Sequence, residues 1–275
     1  MQTNKELAHS KKLLVFIVAY NASAHIEQVF ERIPDSVWGK KICNCDVLVI
    51  DDCSQDDTAQ IAVAYAARTG RQITVQRNTV NKGYGGNQKL GYQYALDRAY
   101  DLVILLHGDG QYAPEYIPIL AQPVLADEAD VVIGSRMMQG TAALKGGMPL
   151  YKFIGNIVVT TLQNLLLGVR LSEFHSGYRV YATSALQAVP FQANADYFDF
   201  DTDILIQMID TGQRFKEISI PTFYGSEICH VNGPKYVIKV LATTILSRLQ
   251  RMKLWKSKKF EYRDLAVHSL KERGH

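Results

Sequence analysis

Four short apolar runs rich in β-branched residues occupy the first half of the chain, and each empties into polar residues. Leu13–Ala19 ends at Tyr20-Asn21, Asp46–Ile50 at Asp51-Asp52, Asp101–Leu106 at His107-Gly108-Asp109, and Asp130–Ile133 at Gly134-Ser-Arg136. Continuous apolar runs of this length read as strands buried on both faces. A weaker strand is Ile73–Arg77, and the intervening stretches, about residues 23–32, 56–69, 84–99 and 114–126, have helical spacing. This alternation predicts an α/β fold with a doubly wound, mostly parallel sheet and helices on both faces. Such sheets bind ligands beyond the carboxyl ends of their strands, where this chain gathers its polar residues, so one composite site is expected.

After about residue 140 the rhythm changes. Residues 140–147 read as a flexible loop, Tyr151–Leu167 as a strongly apolar helix, and Tyr236 to about Trp255 as a helix with an apolar stripe followed by Lys253, Lys256, Lys258 and Lys259. Neither helix reaches a clean spanning run of about 20 apolar residues. Either suits a bilayer surface, and either equally suits packing on the sheet or on a second copy of the chain. The expected organisation is a polar tail over 1–11, a main α/β domain over 12–232, and a basic amphipathic helical extension over 233–275. From Lys235 onward there are 11 Lys/Arg against 3 Asp/Glu, which leaves 19 against 24 in the rest. The basic end points to an anionic partner, taken here as a membrane surface rather than nucleic acid, with solvated helix charge as the alternative. The polar N-terminus and four cysteines without a C-x-x-C pair lead us to expect a reduced, cytoplasmic setting, peripheral at the membrane face.

Three segments carry chemistry. In Val47–Thr58, a strand ends in Asp51-Asp52 and is followed by Ser54 and Asp56-Asp57-Thr58; a carboxylate there suits a base NH or a ribose hydroxyl, or merely caps the turn. In Asn81–Gly91, Gln88 stands where a dinucleotide fingerprint needs its third glycine, which leaves a glycine-permitted loop that delivers Lys82 and opens a helix near Tyr84, with N-terminal amides suited to an anion. In Leu105–Glu115, Asp109 lies among small residues that let a metal and a diphosphate approach; aspartate oxygens suit Mg²⁺ or Mn²⁺. His175 and Cys229-His230 lack further ligands at zinc spacing.

Together with Ala19-Tyr-Asn21, Gly134-Ser-Arg136, His175–Val180 and Phe200-Asp-Thr-Asp203, these segments resemble, in order, family-2 glycosyltransferases, and most of all the branch of dolichol-phosphate mannose synthase and bacterial polyprenol-phosphate sugar transferases. The resemblance covers about residues 12–225. It implies a GT-A fold and an inverting transfer from a nucleotide-diphosphate sugar, UDP- or GDP-linked. It assigns the nucleotide to Ala19, Tyr20, Asn21, Asp51, Asp52, Lys82, Gly83 and Gly108. It assigns a divalent cation to Asp109, with Gln111 matching a metal-proximal position. The family's Asp-x-Asp is here His107-Gly108-Asp109, so His107 either coordinates, binds the acceptor or fills space.

If the acceptor is a lipid phosphate, its oxygen is already an anion, and Arg136 and Arg179 would position it. A sugar hydroxyl would instead need a base, for which Glu173, Asp201 and Asp203 are candidates. Structural ion pairs between those acids and the two arginines are the competing reading. The rival functions are a glycosyltransferase-like binding protein without turnover, a transferase acting on a glycan hydroxyl, and a nucleotidyltransferase, which would need a basic glycine-rich loop where Tyr20-Asn-Ala22 stands.

Overall fold

The computed structural model describes residues 11–223 and 233–262. Its elements in chain order are β1 (Lys12–Ala19), α1 (Ile26–Arg32), α2 (Asp35–Trp38), β2 (Asn44–Asp51), α3 (Thr58–Thr69), β3 (Ile73–Arg77), α4 (Gly83–Asp97), β4 (Leu102–His107), α5 (Ile117–Leu125), β5 (Val131–Ser135), α6 (Ala142–Lys145), α7 (Leu150–Leu167), β6 (Arg179–Ala182), α8 (Thr183–Gln187), α9 (Phe200–Asp210), β7 (Phe215–Ser219) and α10 (Gly233–Arg251). All five expected strands are present. The sheet gains two more, in the order β3-β2-β1-β4-β6-β5-β7. It is parallel except at β6, which runs antiparallel to both β4 and β5. Residues 140–147, expected as loop, contain the helical turn α6.

β1 is flanked by β2 on one side and β4 on the other, which makes its carboxyl end the topological switch point. The register there is tight: Ala19 lies beside Asp51, and Val18 beside His107. The Asp52 amide donates to the Ala19 carbonyl at 2.8 Å and the Gly108 amide to the Val18 carbonyl at 2.9 Å. The ends of β1, β2 and β4 therefore bring Tyr20-Asn21, Asp51-Asp52 and His107-Gly108-Asp109 to one rim.

Helix α4 lies close on the sheet because Gly91 faces Phe16. A Cβ at position 91 would stand 2.1 Å from the Phe16 ring, a distance real atoms do not adopt. Phe16, Tyr92, Tyr181, Phe191 and Phe200 form an aromatic cluster behind the site, with Tyr92 edge-on to Phe16 and Tyr181.

Residues 233–262 dock on the body through α10, which packs on α7 and α9, and through buried Phe260. Several of the basic residues here pair with α9 and its N-terminal flank: Lys239 with Asp199, Arg248 and Arg251 with Asp210, and Lys259 with Asp203. Part of the basic excess at this end thus offsets acids of the same fold. Lys253, Lys256 and Lys258 remain exposed.

Candidate active site

The loop after β1 is tied to the turn after β2. Ser54 Oγ accepts from the Asn21 amide at 2.9 Å, Thr58 Oγ1 from the Ala22 amide at 2.8 Å, and Asp56 from the Ser23 amide at 3.0 Å. Asn21 holds a left-handed backbone at φ 49° and returns its side-chain oxygen to the Gln55 amide at 2.9 Å. This network explains the Asp-Asp-x-Ser-x-Asp-x-Thr spacing: the polar residues build the wall that presents exposed Tyr20 and Asn21.

Asp51, expected against the nucleotide, is turned into the fold. It is buried, accepts from the Ser54 amide and hydroxyl, and pairs with Arg77 at 3.2 Å, so it closes the turn. Asp52 is buried too, and its Oδ1 accepts from Asn78 at 2.7 Å and from the Lys82 amide at 2.8 Å. Its carboxylate shapes the loop that carries exposed Lys82; among the described residues no carboxylate pairs with that ammonium.

Three of the first-turn amides of α4, where an anion was expected, already have acceptors. The Gly85 and Gly86 amides both donate to the Asp196 carbonyl, at 2.8 and 3.1 Å, and the Gly83 amide donates to Asn81 at 2.9 Å. Gly83 itself has φ 78°, and a Cβ there would meet that same carbonyl at 2.5 Å. The glycines of this loop serve close packing against residues 195–197.

At the end of β4, Asp109 is 40% exposed, with Oδ1 accepting from the Gln111 amide at 3.0 Å. His107 is largely enclosed, and its Nε2 lies 3.0 Å from the Tyr84 hydroxyl, which donates to Asp201 Oδ2 at 3.1 Å. Because the phenol's hydrogen goes to a carboxylate, its oxygen accepts from His107 Nε2, which leaves the Nδ1 lone pair on the side of Asp109. Nδ1 and Asp109 Oδ2 are 4.0 Å apart. Burial holds the imidazole below its usual pKa against the pull of Asp109 and Asp201, so the ring is neutral. Gly177 completes the enclosure: a Cβ there would lie 2.6 Å from His107 Nε2 and 2.7 Å from the Tyr84 hydroxyl.

Arg136 and Glu173 form an ion pair, with Arg136 Nε 3.1 Å from Glu173 Oε1 and its backbone amide donating to Oε2 at 2.9 Å. Asn156 on α7 donates to the same carboxylate at 2.9 Å. Burial pushes the Glu173 pKa up, but Arg136 and these hydrogen bonds outweigh it and hold the pKa below the usual glutamate value.

Arg179, expected to position the acceptor, is turned into the fold. It is fully buried, and its guanidinium donates to the carbonyls of Ser176, Asp201 and Phe174 at 2.7, 2.8 and 2.8 Å. The Asp201 carboxylate lies 3.5 Å away. Burial would ease loss of the proton; Asp201 and Tyr181 prevail and push the Arg179 pKa up. Asp201 likewise is no base poised at the rim, since it accepts from Tyr84 and from Gln88 at 3.1 Å beside Arg179. Asp203 is buried against Lys259.

Tyr84 and Gln88 escaped the sequence reading as site residues, as did Tyr112, whose hydroxyl accepts from the Gly177 amide at 2.7 Å, and Tyr236 of α10, whose hydroxyl lies 3.0 Å from His175 Nδ1. The signal for Tyr84 was its position inside the glycine-rich segment. Tyr236 gave none, because its partner lies 61 residues away.

The profile of Glycosyl transferase family 2 matches residues 14–189. The chain belongs to this family. Undecaprenyl-phosphate mannosyltransferase of Micrococcus luteus is 29% identical over 218 residues, which is 79% of this chain and 85% of that protein. UDP-N-acetylglucosamine–dolichyl-phosphate N-acetylglucosaminyltransferase of Methanococcus voltae is 26% identical and is matched over 90% of this chain and 98% of its own length. Among solved structures, glucosyl-3-phosphoglycerate synthase of Mycobacterium tuberculosis with bound UDP superimposes with TM-score 0.64 at 18% identity, covering 92% of this chain and 84% of that one. The same enzyme has been solved with Mn²⁺, UDP and glucosyl-3-phosphoglycerate. The fold is GT-A, and the chain is a glycosyltransferase.

Proposed function

We propose that this glycosyltransferase moves one sugar from a nucleotide-diphosphate sugar to a polyprenyl phosphate, acting peripherally at the cytoplasmic face of a membrane. The observation that carries the acceptor class is the state of the three candidate bases. Glu173 pairs with Arg136, Asp201 with Arg179, and Asp203 with Lys259. A hydroxyl nucleophile needs a base within hydrogen-bond reach, whereas a phosphate oxygen is already ionised near neutral pH. The two relatives named above act, by name, on undecaprenyl and dolichyl phosphate, which supports the same class. Their sugars differ, so the donor sugar is set by other contacts.

The residues at the rim fit a divalent cation shared with a diphosphate. Among the described residues no three His, Cys, Asp or Glu side chains converge as a closed metal site. The donor set is instead Asp109, the Nδ1 lone pair of neutral His107, and Gln111 beside them, which leaves the remaining positions to phosphate oxygens and water. Two unprotonated donors 4.0 Å apart suit one ion held between them. Such an ion would stabilise the charge that grows on the departing diphosphate. Exposed Lys82 adds positive charge at that rim, and Arg136, fixed by Glu173 and also donating to the His175 carbonyl at 3.1 Å, is the acceptor-side cation.

The test is product analysis. Sugar nucleotides, UDP- and GDP-linked, are incubated with Mn²⁺ and a short-chain prenyl phosphate, the matching prenyl alcohol, or an oligosaccharide. The expected product is a prenyl-phosphate sugar detected by mass. Transfer to the oligosaccharide with none to the prenyl phosphate would overturn the acceptor assignment.

A further inference from the structure

The glycines at the start of α4 admit an exposed aromatic ring to the rim. Residues 82–84 run between two strand ends. The Lys82 amide donates to Asp52, just past β2, at 2.8 Å, and the Tyr84 hydroxyl lies 3.0 Å from His107 Nε2 at the end of β4. Gly83 stands between them, and the Tyr197 ring rests where its side chain would be. A Cβ at position 83 would lie 3.2 and 3.3 Å from the ring's Cδ1 and Cε1.

The backbone under that ring, just before α9, is fixed on several sides. The Asp196 carbonyl accepts the Gly85 and Gly86 amides, the Tyr197 carbonyl accepts the Phe200 amide at 3.0 Å, and the Ala195 amide donates to Asp203 at 2.8 Å. Lys89 bonds the Asn194 carbonyl and the Asp196 carboxylate, both at 2.6 Å. Phe198 stacks on Tyr84 with ring centroids 5.1 Å apart. Tyr197 itself is 62% exposed, and among the described residues its hydroxyl has no hydrogen-bond partner. A tyrosine on a fixed backbone has two χ angles to lose on binding, so it offers contact area at low entropic cost.

The polar surroundings of the ring select its occupant. A nucleobase needs partners for its edge as well as a ring for its face. Here the Asp196 carbonyl is doubly occupied, the Asp196 carboxylate holds Lys89, and Asp199 holds Lys239 at 3.5 Å. A pyranose asks less: the C–H groups of one face lie on the aromatic ring, and its hydroxyls point sideways to water or to the phenol. Lys239 Nζ lies 5.8 Å from the ring centroid, a cation–π contact that leaves most of the residue open.

We propose that Tyr197 is the stacking platform for the donor's sugar and a determinant of which sugar is accepted. This rests on the nucleotide-diphosphate sugar donor proposed above. The groups assigned there to the diphosphate are Lys82, next to Gly83, and the Asp109 rim, which Tyr84 reaches through His107. The sugar attached to that diphosphate therefore leaves it beside the Tyr197 ring. The nucleoside lies toward Tyr20 and Asn21, out of contact with Tyr197.

The experiment is calorimetric titration of the full chain, with Mn²⁺, by UDP, GDP, UDP-glucose, UDP-N-acetylglucosamine and GDP-mannose. Wild type is compared with Tyr197→Ala, Tyr197→Phe and Lys239→Met. For the sugar nucleotide that wild type binds most tightly, Tyr197→Ala should bind about 3- to 10-fold more weakly. Its affinity for the diphosphate alone and its melting temperature should match wild type, and Tyr197→Phe should keep most of the sugar-nucleotide affinity. In transfer assays the donor KM should rise more than kcat falls. Equal weakening toward the diphosphate and the sugar nucleotide would place the nucleotide on the ring and overturn the proposal. So would unchanged affinity for every nucleotide with a melting temperature lowered as in Lys239→Met, which would leave Tyr197 as that lysine's partner. A wild type that binds none of these nucleotides would refute the donor class and this platform together. One that binds them without transfer to prenyl phosphate would count against the acceptor alone, and the titrations would still decide the role of Tyr197.

Discussion

Replacing Arg179 separates a residue that acts on substrate from one that holds the site together. Arg179→Met keeps most of the side chain's volume but deletes the donors to three buried carbonyls and the countercharge of Asp201. Removing one partner of a buried pair leaves the other charge uncompensated and costs about 3–5 kcal/mol. Against a total stability of about 5–15 kcal/mol, that is a large share. At roughly 2–4 °C per kcal/mol for a domain near this size, the midpoint should fall by about 10 °C. Urea and thermal unfolding of purified protein measure it directly. Arg179→Lys should recover little, because one ammonium cannot replace a planar fork that serves three carbonyls. A midpoint within about 1 °C of wild type, together with a raised acceptor KM, would refute this placement and return Arg179 to the substrate.

Three further outcomes follow from the geometry. Tyr84→Phe removes the hydroxyl that fixes the His107 tautomer, and calorimetric titration should show Mn²⁺ affinity in the presence of nucleoside diphosphate falling by about 10-fold or more; unchanged affinity would remove His107 from the cation's donor set. Burial lowers the His175 pKa to about 4, so between the ordinary histidine value and about 4 the unfolded chain takes up a proton that the folded chain does not. Its contribution is present above the unfolded pKa and lost as pH falls through that window, up to about 3 kcal/mol, and His175→Phe should flatten urea-midpoint curves between pH 7 and pH 5. Gly91→Ala forces a methyl into the Phe16 ring and should destabilise by about 1–3 kcal/mol in the same unfolding assay, with nucleotide affinity unchanged per folded molecule.

What the sequence disclosed follows from how each signal is encoded. β1, β2, β4 and β5 are continuous apolar runs because both their faces are covered, and α7 was legible almost to its ends from its apolar composition. β6 escaped because it is four residues long and begins with Arg179, an arginine whose burial is possible only through carbonyls and a carboxylate folded around it. β7 is a half-buried strand with Lys216 and Glu217 at its centre, so its apolar signal is weak. The rim of the site was readable from polar residues placed after apolar strands. The division of labour within it was not. Asp51 and Arg179 look like ligand-binding residues until Arg77, Ser54 and Asp201 are seen to occupy them. The Gly85 and Gly86 amides look open until the Asp196 carbonyl, over a hundred residues away, takes both. Such assignments depend on tertiary neighbours that spacing does not encode.

In the function proposed above the chemistry turns on Asp109, exposed at the strand-end rim with His107 and Gln111 beside it. The most direct test measures Mn²⁺-dependent transfer to a short prenyl phosphate by wild type and by Asp109→Asn, with nucleoside diphosphate affinity determined with and without Mn²⁺. The substitution should abolish detectable transfer and erase the Mn²⁺-dependent gain in affinity, while leaving metal-free affinity and the unfolding midpoint near wild type. Transfer by Asp109→Asn at the wild-type rate would contradict the account.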